Sequence, residues 1–257
     1  MVNPAARLEW IEYQNQRARD MWGWIAFLGG TAALLLWMSR AQPFPEIGSR
    51  WAWLMLTFAG VLAMSTNSPR LTTAETPIFI AGGMGALGVI IGAIHDRRNQ
   101  DVVLAPFAGM WFVAATIAIL TEGWDDYTTT EQWFGFFLAT TVILLELFLF
   151  WKGLVIGVQG RSWSQAALRQ LDRGLIDGER GAISMFEKSW SVDESWLDAM
   201  SHSALIRIHE FQGNHVEADK HRNLLERLGG EEGIEAAWLG KIDGCLARLV
   251  RHDSEEE

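Results

Sequence analysis

The sequence predicts an all-α protein in which a membrane bundle of about five transmembrane helices precedes a soluble helical domain. Two observations lead to this fold class. Long apolar runs fill the first part of the chain, and of the 31 Asp and Glu residues 12 precede residue 159 and 19 follow it. Many of the 14 Trp residues lie at the edges of the runs, where aromatic rings favour the boundary between hydrocarbon and water.

The predicted transmembrane domain covers residues 21–158. Its spans are expected near residues 21–38, 51–66, 77–94, 102–120 and 133–157. About 20 apolar residues are needed to cross roughly 30 Å of hydrocarbon, and the run at 51–66 is the shortest, so four to six spans fit the sequence. Buried helices of a soluble protein are the alternative, but such helices normally show a polar face that these runs lack.

The segments outside the runs set the domain limits and the orientation. Residues 1–20 read as an N-terminal amphipathic segment without a cleavable signal, and residues 159–257 as a helical domain. With five spans, four Lys and Arg residues fall on the side of the N-terminus and eight on the side of the tail. Positive charge favours the cytoplasm, which predicts a cell-membrane protein with a cytoplasmic C-terminal domain and an N-terminus outside.

The third run contains a G-x-G-x-x-G pattern at residues 83–88 that resembles a dinucleotide-binding loop. Such a loop needs a following strand that ends in an acid, and Pro106 and Phe107 stand where that acid would be. The membrane interpretation explains the same glycines as one helix face. This face consists of Ala81, Gly85, Gly88 and Gly92. It predicts close helix packing, either within the bundle or between two copies of the chain, and no bound cofactor.

Glu146 is the one acid inside the fifth run. A carboxylate at this depth is costly, so it should face the bundle interior, bind a proton, or line a polar path. Three hydroxyls are near enough in sequence to be its partners: Thr140 and Thr141 on the same run and Thr116 on the fourth. A structural hydrogen bond between helices and the handling of a proton or cation therefore both remain open.

The tail is predicted to form amphipathic helices separated by glycines. The pair joined around Gly213 and Asn214 resembles a tetratricopeptide repeat, in which Leu205, Gly213 and Ala218 match the Leu, Gly and Ala of the family pattern. The departures are His202 for Trp, Ile206 for Gly, His209 for Tyr and Arg222 for an aromatic residue. Because repeats of this kind bind proteins, the resemblance implies a protein partner near Leu205, His209, Gly213 and Ala218. A plain helical bundle is the alternative.

Several function classes are not favoured by the sequence. A net charge of −10 argues against nucleic acid, because phosphate binding needs clustered Lys and Arg. Cys245 is the only cysteine, and the tail histidines at 202, 209, 215 and 221 show no metal-ligand spacing. We find no catalytic motif and therefore lean away from an enzyme. The sequence supports a membrane-anchored interaction protein first, and a proton- or cation-coupled transporter or channel that uses Glu146 second.

Overall fold

The structure, a computed structural model, is built of helices throughout the residues it describes. These are residues 4–66, 73, 75–98, 100, 103–156, 160–190 and 195–256, with the backbone alone for residues 4–20, 155, 156, 195 and 252–256. The predicted all-α fold class with five apolar membrane-length helices is confirmed. The chain divides into two compact units, residues 1–98 with 102–157, and residues 99–101 with 158–257.

The first unit contains the five helices that are long and apolar enough to cross a membrane. They are α1 (Pro4–Ser39), α2 (Pro45–Ser65), α3 (Thr76–Arg97), α4 (Leu104–Thr121) and α5 (Thr129–Phe150). A π-helical segment, Trp151–Ile156, extends α5. Residues 4–20 belong to the same helix as the first apolar run, since α1 runs without a break from Pro4. The amphipathic character predicted for them rests on side chains outside the described ones.

Local sequence signals set most of the helix starts. Proline lies in the first turn of α2 and of α3, where its missing N–H costs no helical hydrogen bond. Helix α2 thus starts six residues before the predicted span, and the shortest apolar run is part of a helix of 21 residues. For α5, Thr128 and Glu131 form a capping box, in which the Thr128 N–H donates to Glu131 Oε2 at 2.8 Å.

The core of the first unit lies among α1 to α4. The largest fully buried side chains there are Trp111, Phe107, Leu28, Leu35, Met55 and Leu104. Trp111 Nε1 donates to Thr31 Oγ1 at 2.7 Å and so joins α4 to α1. α5 packs mainly on α4 and exposes most of its aromatic side chains, as expected for a helix at the lipid-facing edge of a bundle.

The second unit is a series of helices that pack against their chain neighbours. It comprises α6 (Gly160–Asp172), α7 (Ala182–Trp190), α8 (Ser195–Phe211), α9 (His215–Arg227) and α10 (Ala236–Glu256). Helices α6 to α9 each contact the next one, whereas α10 lies on α6 and α8. The α8–α9 turn passes through Gly213 at φ 73°, a conformation that glycine adopts without strain.

Candidate functional sites

The small-residue face of α3 lies against α4. Ala81, Gly85, Gly88 and Gly92 are all buried. A Cβ added at Gly85 would stand 2.5 Å from the Phe112 nitrogen and 2.7 Å from the Ala108 oxygen. At Gly88 it would stand 2.6 Å from Ala108 Cβ. The face is therefore occupied inside the chain, and residues 83–88 form part of a continuous helix rather than a turn between a strand and a helix.

Glu146 points its carboxyl group at a glycine of the neighbouring helix. A Cβ added at Gly109 of α4 would overlap Glu146 Oε2. Both carboxyl oxygens are buried and have no hydrogen-bond partner among the described residues. Since α4 begins at Leu104, Gly109 lies about 8 Å of helix rise from that end. The carboxyl group thus lies in a close-packed contact toward one end of α4.

The threonines that the sequence offered as partners for Glu146 bond elsewhere. Thr140 donates to the Phe136 carbonyl and Thr141 to the Phe137 carbonyl, each at 2.8 Å within its own helix. Thr116 donates at 2.8 Å to the carbonyl four residues before it. A threonine hydroxyl in an apolar helix commonly donates to the carbonyl four residues before it. The structure therefore does not pair these three hydroxyls with Glu146.

An ion pair lies at the junction of α3 and the π-helical segment. Lys152 Nζ is 2.5 Å from Asp96 Oδ2, and both side chains are 38% exposed. A Cβ added at Gly153 would stand 2.9 Å from Pro106 Cγ. The ends of α3 and α5 and the start of α4 are therefore in contact at one end of the bundle. The position of this pair at the ends of apolar helices suits the edge of the hydrocarbon, where charged side chains are tolerated.

Three histidines of the second unit form a buried cluster that the sequence analysis missed. His202 Nδ1 lies 3.0 Å from His221 Nδ1, and the ring of His209 stacks on that of His221 with centroids 5.8 Å apart. Trp190 covers His202 at 5.2 Å. All three histidines are buried. The spacing of seven residues on α8 was visible in the sequence, but the position of His221 between the two rings depends on how α9 packs.

The surroundings of the histidine cluster disfavour protonation of its imidazole rings. Burial lowers the pKa of His202, and burial with its neighbouring imidazoles lowers the pKa of His221 to about 4. The neutral rings of His202 and His221 share one hydrogen bond between their Nδ1 atoms. The Nδ1 atom of His209 is also buried and has no hydrogen-bond partner among the described residues. No group of three or more His, Cys, Asp or Glu side chains with metal-binding geometry occurs in the described part of the chain.

The residues taken from the repeat resemblance form the inside of the α8–α9 hairpin. Leu205, His209 and Ala218 are buried, and Gly213 makes the turn. These residues can hold the hairpin together, but three of them offer almost no surface to a partner. The surface of the second unit is formed by other side chains, among which Trp196 is 54% and Val216 78% exposed.

A groove runs between α6 and α10. Its volume is about 520 Å³, and the residues that line it include Arg169, Asp172, Gly240, Lys241, Gly244 and Arg248. Arg248 pairs with Asp172 at 2.5 Å. Cys245 also lines the groove, and burial raises the pKa of its thiol, which makes it a poor nucleophile at neutral pH.

The fold and these sites define an all-helical protein with five helices long and apolar enough to cross a membrane, followed by a second helical unit. The chain matches no family model, no curated protein and no solved structure.

Proposed function

We propose that this chain is a membrane-anchored interaction protein whose second unit binds a protein partner. The observation that carries the proposal is the serial packing of α6 to α9, in which each helix contacts mainly its neighbours. Helices stacked in this manner leave long side surfaces open for binding. The exposed Trp196 adds the kind of side chain that dominates protein interfaces. The tetratricopeptide resemblance of α8 and α9 points to the same role.

The second unit is proposed to lie in the cytoplasm. Eight Lys and Arg residues against four favour this orientation. The Asp96–Lys152 ion pair supports the alternation of five spans on which this count depends, because it groups the ends of α3 and α5 on one side of the bundle. A reporter fused after residue 257 that is active only outside the cytoplasm should be silent. Activity of that reporter would reverse the orientation.

Partner binding is tested by cross-linking the full chain in its native membranes and purifying it under denaturing conditions. We expect a protein in reproducible ratio to the chain, and at least a tenfold loss of it when an exposed residue of the contact surface is replaced. Trp196→Ser on α8 and Val216→Ser on α9 form a matched pair, since both side chains are exposed. The variant that loses the protein identifies the helix that carries the contact surface. Recovery of no protein above that found with an unrelated membrane bundle would refute the proposal.

A second candidate function is proton- or cation-coupled transport through the first unit. The observation that favours it is the carboxyl group of Glu146, which is buried and has no hydrogen-bond partner among the described residues. An ionisable group at membrane depth is costly and is usually retained for a function. In reconstituted vesicles, Glu146→Gln should abolish a proton or cation flux. Glu131→Gln is the control, since it makes the same change at the exposed start of the same helix. Unchanged flux in Glu146→Gln, or none in the wild type, would exclude this role.

A further inference from the structure

The groove between α6 and α10 differs in charge from the rest of the protein. Three cationic side chains, Arg169, Lys241 and Arg248, line it together with one carboxylate, Asp172. The chain as a whole carries a net charge of −10. Lys241 makes no ion pair with any residue that the structure describes. A basic groove attracts acidic segments, whereas the net negative charge of the chain disfavours the close approach of a second copy.

The floor of the groove is open for close approach. A Cβ added at Gly240 or at Gly244 would meet nothing within 4 Å, although both glycines lie inside α10, where each costs about 1 kcal/mol relative to alanine. The glycines of α3 behave in the opposite way, since a Cβ at Gly85 would meet the backbone of α4 at 2.5 Å. The face of α10 beside Lys241 thus has room for another backbone to come near.

The acidic end of the chain is not the occupant of its own groove. Residues up to Glu256 continue α10 as one helix, so the terminal acids lie on the same rod, about 18 Å beyond Gly244. A straight helix does not return to contact its own middle. The acidic end of α10 is therefore not the segment that the groove of the same copy binds.

We propose that the α6–α10 groove is the docking surface for an acidic helical segment of a partner protein. The segment lies across Gly240 and Gly244, and its carboxylates face Lys241, Arg169 and Arg248. This inference rests on the proposed function, since it names the surface and the chemistry of the partner that the second unit binds. Exposed pairs of this kind set the rate and specificity of association and weaken as salt increases.

The test is photo-cross-linking in native membranes with the full chain. A photoreactive amino acid replaces Gly240, which has room for it, and in a parallel chain it replaces Val216 of α9, which is 78% exposed. We expect position 240 to capture a protein segment that is rich in Asp and Glu and has helical periodicity. Lys241→Glu should reduce that yield at least tenfold, and Lys220→Glu, the same charge reversal at an exposed site on α9, should not.

A second variant separates loss of binding from loss of folding. Gly244→Leu fills the groove without changing its charge and should reduce the cross-link as Lys241→Glu does, while the melting temperature of the chain does not fall, because leucine favours the helix more than glycine does. Capture at position 216 but not at 240 would overturn the docking site and leave the proposed function standing. Capture at neither position would overturn the docking site, and recovery of no protein when the full chain is cross-linked would remove the proposed function as well. A neutral or basic segment, a second copy of this chain, or lipid alone at position 240 would also overturn the inference.

Discussion

The packing of α3 on α4 can be tested by adding single methyl groups at Gly85 and Gly83. At Gly85 the new Cβ would stand 2.5 Å from the Phe112 nitrogen, 2.7 Å from the Ala108 oxygen and 2.9 Å from the Phe112 Cα. All three are backbone atoms, so no side-chain rotation relieves the overlap. Comfortable contacts between heavy atoms are about 3.5–4.0 Å, and the two helices must therefore separate by about 1 Å.

This separation weakens the contacts along the whole face. A gap of 0.5–1 Å removes about a quarter to a half of each dispersion contact, including those made near Gly88 and Gly92. Overpacking by one methyl typically costs about 1–3 kcal/mol, which lowers the melting temperature of a protein of this size by roughly 2–10 °C. Gly85→Leu and Gly88→Leu should disrupt the bundle more strongly than Gly85→Ala.

Gly83→Ala is the matched control on the same helix. No described atom lies within 4 Å of a Cβ added there, so the expected change is a stabilisation of up to about 1 kcal/mol from the higher helix propensity of alanine. The assay is thermal unfolding of the purified chain in one detergent, followed by size-exclusion chromatography. Equal melting temperatures for Gly85→Ala and Gly83→Ala would refute the packing argument. Added NAD should leave the melting temperature unchanged, and stabilisation by NAD would favour the nucleotide-binding interpretation of the same glycines.

Three further predictions concern other sites. Glu146→Leu should stabilise the first unit by about 1–3 kcal/mol, because it removes a buried carboxyl group that has no hydrogen-bond partner in the described part of the chain. Destabilisation would reveal a partner for the carboxyl group. Thr128→Ala should cost about 1 kcal/mol by removing the N-cap of α5, and an unchanged melting temperature would contradict this. The pKa of His221 is lowered from 6.5 to about 4 in the folded chain, so the unfolded state takes up the proton first. Stability should then be full above about pH 6.5 and fall by at most about 3 kcal/mol toward pH 4. In denaturant titrations, His221→Gln should flatten the dependence of stability on pH. His215→Gln, at an exposed position, should leave it unchanged. Equal pH profiles for the two variants would count against the cluster.

Much of the fold was predictable because it depends on local composition. Five apolar runs predict five spans, since each helix must satisfy its backbone hydrogen bonds within lipid by itself. The face formed by Ala81, Gly85, Gly88 and Gly92 also follows from spacing alone. The start of α2 at Pro45 was missed because hydropathy does not report where a helix extends beyond the hydrocarbon with polar residues in its first turn.

The candidate sites depended on contacts between distant segments. Sequence placed Glu146 inside a span, but its position against Gly109, away from the threonines, follows from how α5 packs on α4. The resemblance to a repeat marked Leu205 and Ala218, which the structure buries inside the hairpin.

Composition and periodicity by themselves determined that this chain is helical, that its first part suits a membrane and that its tail does not. Only the tertiary structure decided that His202, His209 and His221 meet, and that α10 lies across α6 and α8 to leave a basic groove. Periodicity reports which residues share one helix face. Which two faces meet depends on side-chain shape and turn geometry summed over the whole unit, and these are not encoded at any single position.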